Sequence, residues 1–234
     1  MVQVVAVLEV AMILSILFLI GRAFGKKTTF MLAGWLAFTA AVAASGVLLD
    51  FEARPPRMML VIAGSIVVFV LTTRGEAFKK ALHATPAHWI VAVMGMRVPI
   101  ELGLWALYRE GRIPLHFTFE GRNFDILVGL TALPVAWLCF ARRAWPPHVA
   151  LGWNIAGIAI LLNIVIHALL SAPTPFQALR TEPPTTIIAT LPYIWLPGFL
   201  VPLAFSLHAA SLRTLGVGAR PLKETGCLDL SASS

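Results

Sequence analysis

Long apolar runs, separated by short clusters of charged residues and prolines, dominate the chain. Seven such runs lie at about 2–21, 29–49, 58–73, 88–108, 124–141, 148–171 and 190–212. Most of them approach the roughly 20 apolar residues that an α-helix needs to cross the hydrocarbon core of a bilayer. The pattern therefore predicts an all-α fold, a polytopic transmembrane helix bundle of seven spans.

The seventh run differs from the others in its prolines, which recur every five residues at Pro192, Pro197 and Pro202. A proline inside a helix lacks the N–H that would bond to the carbonyl four residues earlier. We therefore expect this helix to be kinked. Neighbouring helices should bond to the freed carbonyls, because lipid offers no donor.

Composition supports a membrane protein. Hydrophobic residues make up 59% of the 234 positions and charged residues 12%, with a mean hydropathy of +0.85, which a water-soluble domain does not carry. We expect residues 1–215 to form the seven-helix membrane domain and 216–234 a flexible cytoplasmic tail, with no separate soluble catalytic domain. No basic segment precedes the first run, so we expect it to remain as a span and not to be cleaved as a signal peptide.

The basic residues of the connections predict the orientation. Because Lys and Arg accumulate on the cytoplasmic side, the C-terminus is predicted in the cytoplasm and the N-terminus outside, in what we expect to be a bacterial inner membrane. The same distribution accounts for the net charge of +7, so nucleic acid is not an expected partner. Eleven basic residues lie on the cytoplasmic side (Arg22, Lys26, Lys27, Arg74, Lys79, Lys80, Arg142, Arg143, Arg213, Arg220, Lys223) and six outside (Arg54, Arg57, Arg109, Arg112, Arg122, Arg180).

Small residues recur at four-residue spacing in the second run, at Ala33, Ala37, Ala41 and Ser45. Small side chains on one face allow two helix backbones to approach closely within a membrane. The spacing predicts that this face packs against another helix and serves as scaffold.

Three charged residues lie within predicted spans: Glu9, Arg97 and Glu101. Each costs at least about 2.5–3.5 kcal/mol to insert into the bilayer, so we expect each to have a functional or structural role. Arg97 and Glu101 are four residues apart and therefore share one face of the fourth span. We expect them to form an ion pair, with Pro99 bending the helix between them.

Helix rise gives the depth of the polar residues. At about 1.5 Å per residue, Glu9 lies roughly 10 Å below the outer boundary, with Glu101 at a similar level. Asn163 and His167, on one face of the sixth span, lie roughly 12 Å and 6 Å below the same boundary. The depths predict one polar layer, formed by spans one, four and six.

The outer connection at 109–124 is rich in aromatic and titratable residues, and we expect it to cover this layer as a lid. Its centre alternates: Leu115, Phe117 and Phe119 would face one way and His116, Thr118 and Glu120 the other, as in an extended segment. The alternative is a structured cap that only shields the helix ends. Arg122 could pair with a neighbouring carboxylate or with a ligand anion.

Asn123 and Asp125 stand at the start of the fifth span. Asn123 suits the N-cap position, and Asp125 would complement the positive end of the helix dipole. Capping is the favoured interpretation, with a place in the polar layer as the alternative.

Metal and cofactor chemistry find little support. Two histidines, His116 and His167, with a nearby carboxylate would satisfy zinc or iron, but no HxxxH or HExxH spacing occurs and we assign no metal site. Cys139 and Cys227 suggest neither a disulfide framework nor a thiolate metal site. No cofactor is indicated. A retinal Schiff base is excluded because every lysine lies outside the spans, and no GxSxG or phosphate-binding glycine loop is present.

These features predict an integral membrane protein with a polar pocket open to the outer side, which binds or transports a small polar or anionic ligand. Its partners would be the lipid bilayer and that small molecule. One alternative is an intramembrane enzyme, with or without a metal, that acts on a lipid or isoprenoid; another is a structural or assembly subunit. The candidate ligand-binding residues are Glu9, Arg97, Glu101, His116, Glu120, Arg122, Asn163 and His167.

Overall fold

The computed structural model describes residues 2–218, and no strand occurs among them. The all-α prediction is therefore confirmed for this part of the chain. Short 3₁₀ turns lie in the connections at Val47–Leu49, Leu115–Phe117 and Ile187–Ala189. The helices are α1 (Val2–Phe24), α2 (Lys26–Ala44), α3 (Arg57–Arg74), α4 (Glu76–Ala84), α5 (Ala87–Arg109), α6 (Asp125–Ala141), α7 (Pro147–Ser171) and α8 (Leu196–Gly216).

Six of these helices, α1, α2, α3, α5, α7 and α8, are long and apolar enough to cross a membrane. Helix α6, which corresponds to the fifth predicted span, is apolar but shorter. The seventh predicted span starts later than expected, at Leu196, because turns occupy the segment around Pro192. The tail predicted for 216–234 lies, beyond residue 218, outside the described residues, and so do Arg220, Lys223 and Cys227.

Helix α8 lies at the centre of the bundle. Half of its apolar window is buried (50%), the largest share among the six long helices. It packs against α2, α3, α5 and α7, while α1 packs against α2 and α5, and α6 against α5 and α7. The outer helices therefore follow the order α3, α2, α1, α5, α6, α7 around α8, with α3 and α7 at the two ends of this arc.

Large apolar side chains cover the outside of the bundle. In water such a surface would drive aggregation, whereas in a bilayer it contacts lipid chains. The burial pattern is thus that of a membrane bundle with its polar groups inside. Examples from successive helices are Phe18, Phe30, Leu60, Leu102, Leu130 and Ile155, all more than 45% exposed.

The scaffold face predicted for α2 is wrong. Ala37, Ala41 and Ser45 are exposed, and the buried face carries larger side chains, among them Leu32 and Leu36, which belong to the central apolar cluster. Burying a leucine removes far more apolar area from the surroundings and makes more packing contacts than burying an alanine. The area that the large side chains bury, and not close approach of the backbones, decides which face of α2 points into the bundle.

A hydrogen bond between α2 and α8 compensates for the proline at position 202. Pro202 has no N–H, and the carbonyl four residues earlier, that of Gly198, accepts a hydrogen bond from Trp35 Nε1 at 2.8 Å. Gly64 makes room for the indole, since a Cβ at this position would lie 2.5 Å from the ring. The prediction that a neighbouring helix bonds a freed carbonyl is confirmed at this proline.

We predict that Trp35→Phe lowers the free energy of unfolding by about 1 kcal/mol, because the buried Gly198 carbonyl would lose its donor. Chemical unfolding of the purified protein in detergent measures this. Trp89→Phe is the control: Trp89 is 59% exposed, and the change should cost less than about 0.5 kcal/mol. Equal costs for the two substitutions would contradict the role assigned to the bond.

Candidate functional site

The loop at 109–124 folds back on itself between α5 and α6. Gly121 lies so close to the preceding turn that a Cβ there would be 2.3 Å from the Leu115 carbonyl oxygen. The predicted extended segment is wrong: Phe117 and its neighbour Thr118 are both buried, and Leu115 is exposed. Side chains alternate only along an extended chain, and this segment turns. Whether the loop opens as a lid remains a prediction.

Asn123 ties the end of this loop to Glu101. Its Nδ2 donates to both carboxyl oxygens of Glu101 at 2.8 Å and to the Phe117 carbonyl at 3.1 Å. Its Oδ1 accepts the N–H of Asp125 at 3.1 Å. Asn123 and Glu101 are 1% and 2% exposed, respectively. Phe124 holds the N-cap position, so Asn123 lies one residue earlier than predicted. Its Oδ1 still bonds the N–H of the first helical residue, while its Nδ2 bonds Glu101.

An ion pair joins α5 to α6: Arg97 Nη1 donates to Asp125 Oδ1, and both residues are buried. Gly129, one turn after Asp125, permits the two helices to meet here, because a Cβ at Gly129 would lie 2.9 Å from the Val98 nitrogen. The predicted Arg97–Glu101 pair is corrected accordingly. Both side chains share a face of α5, but each bonds a partner from α6 or from the loop before it.

Arg97, Glu101, Asn123 and Asp125, which we call the polar cluster, line one wall of a cavity of about 170 Å³ beside α8. The rest of the wall is apolar, apart from Thr174. Arg97 Nε and Nη2 are buried and find no acceptor among the described residues. A buried donor without an acceptor costs about 1–3 kcal/mol, so Arg97, one of the residues that line the cavity, keeps unused donor capacity. Apolar lining comes from α3, α7 and α8 through residues such as Met58, Ile62, Leu161, Val165, Leu200 and Ala204.

Five other candidates lie outside this cavity, around the loop: His116, Glu120, Arg122, Asn163 and His167. The His116 and His167 rings lie 6.3 Å apart between centroids, so the structure brings these two together. His167 Nδ1 lies 2.8 Å from the Asn163 carbonyl, and Asn163 Nδ2 donates to the Arg122 carbonyl at 2.8 Å. Burial lowers the pKa of the His116 imidazole, and the nearby His167 and Arg122 lower this pKa further.

Glu120 lies on the exposed side of the loop. Its Oε1 accepts a hydrogen bond from Trp105 Nε1 at 2.9 Å, so this carboxylate is occupied by a neighbour from α5. Among residues 2–218, no group of three or more His, Cys, Asp or Glu side chains is placed to hold a metal. The two histidines therefore lack the third ligand that the zinc or iron alternative requires, and the donor set does not fit such a site.

Glu9 lies in a different place from the polar cluster. It lines a groove of about 300 Å³ between α1 and α5, whose wall includes Pro99 and Gly103. Pro99 and Gly103 follow Arg97 and Glu101 by two residues and so lie on the opposite side of α5. The single polar layer is not formed, because equal depth along two helices does not determine which way each side chain points.

A second buried polar group, between α7 and α8, is missing from the sequence-based site. His208 Nδ1 lies 2.9 Å from Asn154 Oδ1, and Asn154 Nδ2 donates to Ser211 Oγ at 3.0 Å. Gly157 makes room for the His208 ring, since a Cβ at position 157 would lie 2.4 Å from the imidazole. Asn154 and Gly157 share a face of α7, and His208 and Ser211 share a face of α8, because each pair is three residues apart. This spacing is the sequence feature from which the contact could have been predicted.

Comparison with protein families assigns the chain to one family. A family model described as "Domain of unknown function (DUF8737)" matches residues 55–216, more than half of the chain. The protein belongs to this family. The matched segment contains α3 to α8 and all four residues of the polar cluster, whereas Glu9 and the rest of α1 precede it. The comparisons with curated proteins and with solved structures gave no match.

We predict that Asp125→Asn lowers the free energy of unfolding by about 3–5 kcal/mol, because Arg97 would retain its charge in a buried site without the carboxylate that bonds it. Chemical unfolding in detergent measures the change, and asparagine preserves the size of the side chain. The matched control is Asp50→Asn. Asp50 pairs with Arg57 at 3.1 Å, with both side chains more than 40% exposed, so its loss should cost no more than about 1 kcal/mol. Similar costs at the two sites would contradict the role of the buried pair.

Proposed function

We propose that the protein is an integral membrane protein that binds a small amphipathic molecule in the cavity at the polar cluster. An oxygen acceptor of this ligand would bond the free N–H groups of Arg97, and its apolar part would contact α3, α7 and α8. The observation that carries the proposal is that Arg97, which lines this largely apolar cavity, has two buried nitrogen donors without an acceptor among the described residues. A purely structural arginine would be expected to have acceptors for these groups.

The charges around Arg97 favour an uncharged ligand head over an anion. Asp125 already neutralises the guanidinium, and the Glu101 carboxyl lies on the same wall. An anionic head would have to compete with Asp125 and would approach a second acidic group at low dielectric. A carbonyl or ester oxygen accepts hydrogen bonds without this repulsion. Of the two ligand types that the sequence allows, the polar one is therefore preferred to the anionic one.

The arrangement of helices suggests how such a ligand enters. The two ends of the helix arc, α3 and α7, supply opposite walls of the cavity, so an amphiphile could pass between them from the bilayer. In the proposed topology α6 completes seven spans and the N-terminus is outside, in a bacterial inner membrane. The loop at 109–124 would then close the outer end of the cavity, where Phe117 and Asn123 line it.

Thermal unfolding with methyl dodecanoate as probe tests this function. Saturation near one hundred times the dissociation constant should raise the melting temperature by roughly 5–10 °C. Ala168→Leu, which extends a side chain into the cavity wall, should abolish most of this shift. Ala159→Leu is the matched control, because Ala159 is exposed on the same helix and should leave the shift unchanged.

Three outcomes separate the alternatives. An equal shift of the melting temperature with dodecane would show that only the alkyl chain of the ligand is recognised, and it would contradict the role of Arg97. A larger shift with dodecanoate would identify the head as an anion. An unchanged response in Ala168→Leu would place the ligand outside the cavity.

A further inference from the structure

The groove beside Glu9 opens to the lipid side of the bundle. It has a volume of about 300 Å³, and its wall is almost wholly apolar, with contributions from α1 and α5. Val4 and Leu8, which line it, are 61% and 62% exposed, so the edge of the groove faces the surrounding hydrocarbon. A molecule that enters this groove must therefore come from the bilayer.

Glu9 is the one carboxyl group on this wall. It is 7% exposed, and its Oε1 is buried and without a hydrogen-bond partner in the described part of the chain. Among residues 2–218, no basic residue lines the groove. An ionised carboxylate without a counterion is costly in such surroundings, so the group is expected to carry a proton. A protonated carboxyl offers one O–H donor and retains a carbonyl acceptor.

Tyr193 supplies a second polar atom on the same wall. Its side chain is buried, and its hydroxyl donates to the Val2 carbonyl at 3.2 Å. Because this bond uses the only hydrogen of the hydroxyl, the Tyr193 oxygen remains able to accept one. The described residues of the groove thus present one donor and two acceptors and carry no net charge.

We propose that this groove binds a long-chain alcohol dissolved in the membrane, with the hydroxyl at Glu9 and the chain along α1 and α5. The alcohol oxygen accepts the proton of the Glu9 carboxyl in a hydrogen bond, and the alcohol hydrogen is donated to the Glu9 carbonyl oxygen or to Tyr193. An uncharged hydroxyl satisfies both kinds of group at once. A hydrocarbon would leave Glu9 unbonded, and an amine would require an ion pair in an apolar groove. The site is separate from the cavity at Arg97 and does not depend on the function proposed there.

Labelling of the full-length protein in detergent with dicyclohexylcarbodiimide tests the proposal, because this apolar reagent adds to protonated carboxyl groups. Mass spectrometry of the digested protein should locate the adduct at Glu9. At ten times its dissociation constant, dodecan-1-ol should slow this labelling about tenfold, since only unoccupied sites react. Dodecane at the same concentration should leave the labelling rate unchanged.

Gly103→Leu provides a variant that fills the groove. A Cβ at this position already lies 3.1 Å from Val5 Cγ1, so a leucine side chain must occupy the space that the alcohol needs. Protection by dodecan-1-ol should be lost. Gly34→Leu is the matched control, since nothing lies within 4 Å of a Cβ there. Protection should persist in this variant.

Glu9→Gln gives an independent readout by thermal unfolding, which does not need the carboxyl. The amide retains a donor and an acceptor, so dodecan-1-ol should still raise the melting temperature, whereas dodecylamine should have no effect. Any of three results would overturn the proposal: an unlabelled Glu9 in the wild type, equal protection by dodecane, or stronger protection of the wild type by dodecylamine. Continued protection in Gly103→Leu would also overturn it.

Discussion

The ion pair between Arg97 and Asp125 constrains the rest of this bundle. A guanidinium that is 1% exposed among apolar helices needs an anion nearby, and Asp125 at the start of α6 supplies it. The pair therefore fixes α6 against α5 at one depth and one rotation, and Gly129 allows the backbones to come that close. The loop before α6 must then end beside Glu101, where Asn123 bonds it.

Helix α5 has two unlike faces, because charged residues lie on one side of it and small residues on the other. The face of Arg97 and Glu101 lines the internal cavity, and the face of Pro99 and Gly103 lines the groove of Glu9. The first surface has donors without acceptors, and the second has a carboxyl oxygen without a donor. Because the unbonded groups differ, we propose a ligand with a hydrogen-bond acceptor inside the bundle and a ligand with a hydroxyl group at its lipid-facing side.

The hydrophobic pattern was enough to predict the helices, because the length of an apolar run is a property of the run alone. It was not enough to predict partners. Arg97 and Glu101 stood out as costly residues, yet the bonds of both go to residues from 123 to 125, which local reasoning assigned to helix capping. Rotation about each helix axis decides such contacts, and it is fixed by packing between distant segments. The rotation of α2 also depends on packing with distant segments, which buried its large leucine side chains and not its alanines.

A double-mutant cycle on Arg97→Met and Asp125→Leu tests most directly whether this one pair holds the cluster together. Each single variant leaves one member of the pair buried without its partner, whereas the double variant removes both members. We expect the double variant to unfold at higher denaturant concentration than Asp125→Leu alone, with a coupling energy of at least about 2 kcal/mol. Additive costs, within about 0.5 kcal/mol, would show that the two residues act independently and would contradict the account.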